Sequence, residues 1–331
     1  MEKVKVCIVG LGWTGSNHYA GYAAIPEKAQ VVAVVARSEA AQVKAKSWGI
    51  PKIYTDFAAA LQDEQIDAFS ICTPHHDHAP MLLAAMQAGK HAIGETPACT
   101  NREECRQLRI ALFEHPYVKV ATGHICRSWP TFANAKQIVG QGAIGDVFYL
   151  SSNYTHKADP NEYPSSRTWG RSPRARFHLG ISYHSVDLLR WVAGNVEEVS
   201  GDYTNHARIA VLRFKNGALG HVYQSGSVVQ PYSLPLYIYG LDGSIHCYWE
   251  EQVLKGYQHN SAEWNPTHLA TTPLHGRGSP EWKYEMEDFV DSIREDRQPI
   301  CPLLEGIATV ETCIAVDEAM RHGTRVRVRE E

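Results

Sequence analysis

Val4-Lys5-Val6-Cys7-Ile8-Val9 runs without a break into Gly10-Leu11-Gly12-Trp13-Thr14-Gly15. The first stretch is apolar except for Lys5, as suits a strand buried on both faces of a parallel sheet. The second is G-x-G-x-x-G, a weak pattern alone. Here it follows a strand and opens a helical pattern from Gly15 to Ile25, the context that gives it meaning. The first glycine permits a tight turn, the second lets backbone approach a pyrophosphate, and the third lets helix and strand pack closely. The helix N-terminus favours phosphate charge. Gly10, Gly12, Trp13, Thr14 and Gly15 are therefore candidate cofactor contacts.

Outward from this turn, strands and helices alternate to residue 122. Strands are predicted at 31–36, 53–54, 68–72, 91–94 and 118–121, and helices at 39–48, 79–88 and after Thr100 or Asn101. This implies an α/β Rossmann domain over 1–122, a doubly wound parallel sheet with right-handed crossovers. Beyond Gly123 the pattern changes. Helices are predicted at 131–139 and 181–192, a strand at 147–154, and a long polar loop at 157–173. Short strands follow near 196–204, 208–214, 218–226, 234–240 and 244–249, with Asn216-Gly217 and Asp242-Gly243 as hairpin turns. Residues 255–280 read as irregular, and helices at 281–295 and 304–321 finish the chain. The second domain, 123–331, is thus α+β with a large, mostly antiparallel sheet.

The chain has 331 residues, 44% hydrophobic and 21% charged, with a formal charge of −4. This balance argues against a nucleic-acid or anionic-membrane partner. No apolar run approaches the roughly 18 residues needed to cross a bilayer. The N-terminus runs straight into a strand without a leader pattern. The 8 cysteines form no C-x-x-C pair. A reduced, cytoplasmic protein is expected.

The second strand should end on an acid if the cofactor is NAD, because that acid binds the ribose 2′-hydroxyl. The sequence there is Ala36-Arg37-Ser38. Arg37 and Ser38 suit a 2′-phosphate, so NADP is predicted over NAD, with NAD the alternative.

Several short motifs resemble the Gfo/Idh/MocA oxidoreductases, over nearly the whole chain. Thr73-Pro74-His75-His76-Asp77-His78 resembles that family's T-P-N-x-x-H, with His75 for Asn. Ala88-Gly89-Lys90-His91 resembles its A-G-K-H, and Glu95-Thr96-Pro97 its E-K-P. Gly123 to Pro130 resembles its entry to the second domain, with Arg127 at the arginine position. His184 and Asp187 resemble the end of its D-x-G-x-H-x-x-D. The resemblance implies cofactor contacts at Thr73, Pro74, His75, His78, Glu95 and Thr96. The family's catalytic Lys is Thr96 here, and its catalytic Asp is Gly180. Arg167-Thr168-Trp169 resembles a subgroup that oxidises a cyclic hemiacetal to a lactone.

Oxidation of a C–OH group needs a hydride acceptor and a base for the hydroxyl proton. His184 titrates near neutrality and suits the base. Tyr183 is a second candidate donor, and the Thr96 hydroxyl could orient a substrate oxygen. Asp187, at i+3 from His184, shares its helix face and could hold the imidazole or substrate, or brace the helix. Arg167, Arg176 and His178, with Arg127 and Trp169, form a candidate substrate-binding set for an anionic or polyhydroxylated molecule. The His75–His78 run lacks neighbouring Cys or Glu at ligand spacing, so no metal is expected. Trp129, Trp169, Trp249, Trp264 and Trp282 read mainly as core or subunit-interface residues, with sugar stacking the alternative. The resemblance implies a homodimer or homotetramer. Two other functions remain open: redox-neutral glycoside cleavage through transient oxidation, and a non-catalytic nucleotide-binding regulator.

Overall fold

The computed structural model describes residues 2–155, 182–229, 232–248, 253–258, 267–269 and 280–329. In chain order, β1 (Val4–Val9), α1 (Trp13–Ala23), β2 (Ala29–Val35), α2 (Glu39–Ser47), β3 (Lys52–Tyr54), α3 (Phe57–Leu61), β4 (Ala68–Ile71), α4 (His78–Gln87), β5 (His91–Glu95), α5 (Arg102–Glu114) and β6 (Val120–Gly123) build the first sheet and its helices. The strand order is β3-β2-β1-β4-β5-β6, all parallel. The direction of winding reverses between β1 and β4. In such sheets ligands bind outside the carboxyl ends at that point.

Local chemistry sets the helix starts. Ser38, Asp56 and Asn101 accept from the backbone N–H three residues on, at Ala41, Ala59 and Glu104. Glu104 in turn accepts from the Thr100 backbone N–H at 2.6 Å. This reciprocal capping satisfies donors that the helix itself leaves open.

The second sheet uses α6 (Pro130–Gly140), β7 (Val147–Thr155), α7 (Tyr183–Ala193), β8 (Val196–Tyr203), β9 (Arg208–Phe214), β10 (Leu219–Ser225), β11 (Leu236–Gly240), β12 (Gly243–Tyr248), β13 (Val253–Gln258) and β14 (Thr267–Leu269). α8 (Pro280–Arg294), α9 (Leu303–His322) and β15 (Val326–Arg327) follow. Its nine strands run β14-β13-β12-β11-β7-β10-β9-β8-β15, antiparallel except for the β7–β10 pair. Ala210, Leu212, Val222, Leu150 and Ile238 are buried on one face. Residues 259–266 and 270–279 lie outside the described residues, and the expectation of irregular structure over 255–280 is corrected at 255–258 and 267–269, where β13 and β14 pair antiparallel. Their short, polar-rich sequences carry little period-2 signal, and pairing with β12 supplies the order.

The chain divides differently from the expected 1–122 and 123–331. One compact unit is Met1–Ser128 with Leu274–Ile307, and the other is Trp129–Pro273 with Ala308–Glu331. The reason is α8, which returns to the first unit. Its Met286, Phe289 and Val290 enter the same apolar cluster as Ile8, Tyr22 and Ile25. At about 2 kcal/mol per buried side chain, this is a large share of a marginal stability. A Cβ on Gly21 would meet the Trp282 carbonyl oxygen at 2.6 Å, so the two helices approach backbone to backbone. Lys28 adds bonds at 2.7 Å to both Glu287 and Asp291.

Candidate functional site

The candidate nucleotide-binding elements lie in the first unit. Gly10 has φ +89°, and a Cβ there would meet the Cys72 carbonyl oxygen at 2.9 Å. A Cβ on Gly15 would strike the Gly10 carbonyl. Both positions need glycine for the turn itself. Gly12 differs: a Cβ there would meet nothing within 4 Å. Its bare backbone faces open space, as close approach by a ligand requires. α1 starts without a side-chain cap and without an acid in its first turn. Its open N–H groups and dipole suit a diphosphate.

Two cations and a tryptophan flank this turn. Lys44 of α2 donates to the Leu11 carbonyl at 3.3 Å and to Ser16 Oγ at 3.1 Å. Arg37 is exposed and has no ion pair among the described residues, beyond the buried Ala36. Ser38 is also exposed, but its hydroxyl caps α2. Trp13 is 76% exposed at the start of α1. These features fit a dinucleotide, and no acid stands at the end of β2 to oppose a 2′-phosphate.

The neighbouring turns are held from beneath. Thr73 and Pro74 follow β4, and His75 begins a short 3-10 turn. The His75 and His78 rings lie 5.8 Å apart. His78 is buried, with Nδ1 2.9 Å from the Pro97 carbonyl oxygen and Nε2 2.7 Å from the Thr73 one. His78, expected at the cofactor, has both ring nitrogens within hydrogen-bond distance of carbonyls of the two turns. Glu95 ends β5, and its Oε1 accepts from His18 Nε2 at 2.9 Å. Its Oε2 accepts from the Thr96 N–H at 3.3 Å. Burial works to raise the Glu95 pKa, but the His18 hydrogen bond and charge outweigh it, holding the carboxylate below its ordinary value. Thr96 is partly exposed beside it. Arg127, expected on substrate, is 1% exposed and donates to the Ile300 carbonyl at 3.2 Å and to Glu305 at 3.4 Å.

The second unit carries His184. α7 is capped by Ser182, which accepts from the Ser185 N–H at 3.1 Å. A Ser152–Ser185 hydroxyl bond of 3.0 Å pins the helix to β7. His184 is partly exposed in the first turn and lies 6.2 Å from the Tyr154 ring at 29°. Tyr232 meets Tyr154 edge-on at 5.3 Å. Tyr183 is buried. Asp187 is fully buried and accepts from Thr309 Oγ1 at 3.1 Å, while Thr309 accepts from Arg190 at 2.9 Å. That network braces α7. Arg167, Trp169, Arg176, His178 and Gly180 lie outside the described residues.

Sequence reasoning missed Lys44, His18 and the Tyr154–Tyr232 ledge, and it named Trp282 without placing it beside Trp13 and His18. Only Lys44 carried a local signal, as a basic residue on the helix after the second strand.

A glycine-turn Rossmann unit and a second unit with a large, mostly antiparallel sheet define a two-domain, dinucleotide-binding architecture. The chain belongs to the Gfo/Idh/MocA oxidoreductase family. Residues 4–124 match its NAD-binding Rossmann fold and residues 136–328 its C-terminal alpha/beta domain. Levoglucosan dehydrogenase of Pseudarthrobacter phenanthrenivorans is 30% identical, over 60% of this chain and 54% of that protein. The scyllo-inositol 2-dehydrogenase (NAD(+)) of Bacillus subtilis is 24% identical over 99% of this chain and 97% of its own length. A 4-carboxy-2-hydroxymuconate-6-semialdehyde dehydrogenase from Sphingobium is 26% identical over 60% of this chain and 61% of its own. The fold of levoglucosan dehydrogenase in complex with NADH and levoglucosan superposes with TM-score 0.91, at 23% identity, covering 99% of this chain and 100% of that one. No helix among the described residues is long and apolar enough to cross a membrane.

Proposed function

We propose that this protein is an NAD(P)-dependent dehydrogenase or reductase acting on a CH–OH group of a sugar, cyclic hemiacetal or related polyhydroxylated or anionic compound, with NADP preferred. The observation that carries it is the glycine turn: open space at Gly12, an uncapped helix start, and exposed Arg37 next to Ala36, which stands where an NAD-selective protein would place an acid. The relatives named above, dehydrogenases of an anhydrosugar, an inositol and a semialdehyde, support the substrate class. A bound nicotinamide would supply the hydride acceptor. His184 takes the hydroxyl proton during oxidation and returns it during reduction, since an imidazole works near neutrality. Tyr154 beneath it offers an aromatic face for a sugar ring. Thr96 orients a substrate oxygen, and Tyr183 is a second donor.

The open face of the second sheet supports a homodimer or homotetramer. Exposed Ile209, Val211 and Leu219 lie on it beside Tyr149, His221 and Tyr237. An apolar sheet face of this kind marks an interaction surface.

The test is fluorescence titration with NADPH and NADH, followed by a screen of anhydrosugars, inositols and aldoses for reduced cofactor. NADPH binding with turnover on one such compound supports the reading. Absence of binding to either cofactor overturns it.

A further inference from the structure

Behind the glycine turn lies a group of three titratable side chains that the proposed chemistry does not use. A ring nitrogen of His18 and carboxyl oxygens of Glu95 and Glu285 all lie within 4.8 Å of one another. They come from α1, the end of β5 and α8, all in the first unit. Glu285 is 4% exposed, and both its oxygens are buried with no hydrogen-bond partner. Trp282, one turn earlier on α8, walls the cluster with its ring 5.2 Å from His18.

Two neighbouring carboxylates in such surroundings cannot both ionise without a large penalty. Either a proton or a cation must neutralise one of them. Among the described residues no Lys or Arg offsets Glu285, and the charge of His18 is spent on Glu95. Asp288 on its own helix and Glu95 opposite are acids. The Tyr22 phenol and the Cys72 thiol are pushed up by burial and stay neutral. His18 has both nitrogens engaged, Nδ1 with Ser70 Oγ at 2.6 Å and Nε2 with Glu95 at 2.9 Å. No lone pair is left on it for a metal ion, so a proton requires the least rearrangement. Burial first, then the charges of Glu95 and Asp288, push the Glu285 carboxyl well above the usual range, while His18 holds Glu95 down. The two directions agree on which acid keeps the proton.

We propose that Glu285 is a neutral acid at physiological pH that shares its proton with the Glu95 carboxylate, and that it acts as a positioning residue, setting the Thr96 turn through Glu95. The link is already half drawn in the Glu95 Oε2 bond to the Thr96 N–H. The positioning half rests on the dinucleotide reading above, whereas the shared proton does not.

The experiment uses the full chain. In the cofactor-free protein near neutral pH, infrared spectroscopy should show a protonated carboxyl C=O band that Glu285→Gln removes. The folded wild type holds a proton that the unfolded chain releases above the carboxylate pKa. Glu285→Gln should therefore be at least as stable, with its advantage in Tm growing from about pH 5 upward. Glu285→Gln should keep NADPH affinity within about threefold, because an amide can still donate to Glu95, whereas Glu285→Ala should weaken it about tenfold. A missing band, or a Gln variant less stable at neutral pH, would overturn the shared proton. So would Zn²⁺ or Mn²⁺ raising the Tm of the wild type but not of Glu285→Gln. Equal NADPH affinity in the Ala variant, with the band confirmed, would overturn the positioning role. Failure of the wild type to bind either cofactor would count against the dinucleotide reading and leave the cofactor-free measurements intact.

Discussion

The indole of Trp282 meets that of Trp13 edge-on, with ring centroids 5.8 Å apart and planes at 78°. One ring opens α1 at the glycine turn, and the other arrives on α8 from the far end of the chain. Edge-to-face aromatic pairs add about 1 kcal/mol beyond their buried area. Trp282→Ala should therefore free Trp13 and weaken dinucleotide binding about tenfold. Fluorescence titration reads this directly, and unchanged affinity would show that Trp13 is held without its partner.

The two ends of the glycine motif should fail in different ways. Gly15→Val puts a side chain into the Gly10 carbonyl and should lower Tm sharply. Gly12→Val meets open space at φ −67°, so the fold should survive while cofactor binding is lost. Thermal melts paired with NADPH titrations separate the two effects.

Arg37 should discriminate between cofactors. Its guanidinium is exposed and unpaired among the described residues. A charge-assisted bond to a 2′-phosphate is worth about 1.5–3 kcal/mol. Arg37→Ala should raise the NADPH Kd at least tenfold and leave the NADH Kd nearly unchanged. Equal effects on both would assign Arg37 to the diphosphate or to solvent.

His184→Ala should lower kcat about a hundredfold or more while sparing NADPH affinity. The variant should fold, because α7 is anchored by Ser185 and Asp187 rather than by His184. Turnover within a few fold of wild type would remove His184 from the proton transfer.

Acid stability should depend on Asp63. Lys52 donates to it at 2.6 Å and the Tyr54 hydroxyl at 2.8 Å, and its pKa falls to about 2. A depressed carboxylate stabilises the fold above its unfolded value, near 3.8, and loses that contribution as pH falls through about 2. Lys52 is partly solvated, so Asp63→Asn should cost about 1 kcal/mol at neutral pH. The difference should vanish in acid melts near the lower value.

The first sheet was legible because its strands are short, largely apolar runs and three of its helices, α2, α3 and α5, start at a capping side chain. Asp56 and Asn101 carry such caps, and the glycine turn lies in a single stretch. α8 was legible as a helix but not as part of the first unit. Lys28 and Glu287 are 259 residues apart in sequence, and no local pattern joins them. His18 and Glu285 were silent for the same reason. His78 and Arg127 were singled out as ligand contacts by residue type and motif, which do not show the carbonyls that their nitrogens also reach. β13 and β14 were missed because their short sequences show little alternation, and pairing with β12 supplies the order.

The return of α8 also bears on how the protein is made. A ribosome delivers β1 to β6 long before Met286, Phe289 and Val290 emerge. Until then Ile8, Tyr22 and Ile25 lack part of their packing. Nascent chains halted just after residue 128 should be protease-sensitive and bind no dinucleotide, while chains released past α8 should resist protease and bind it. The first unit thus matures only once residues 274–307 have been made, after most of the intervening chain has already left the exit tunnel.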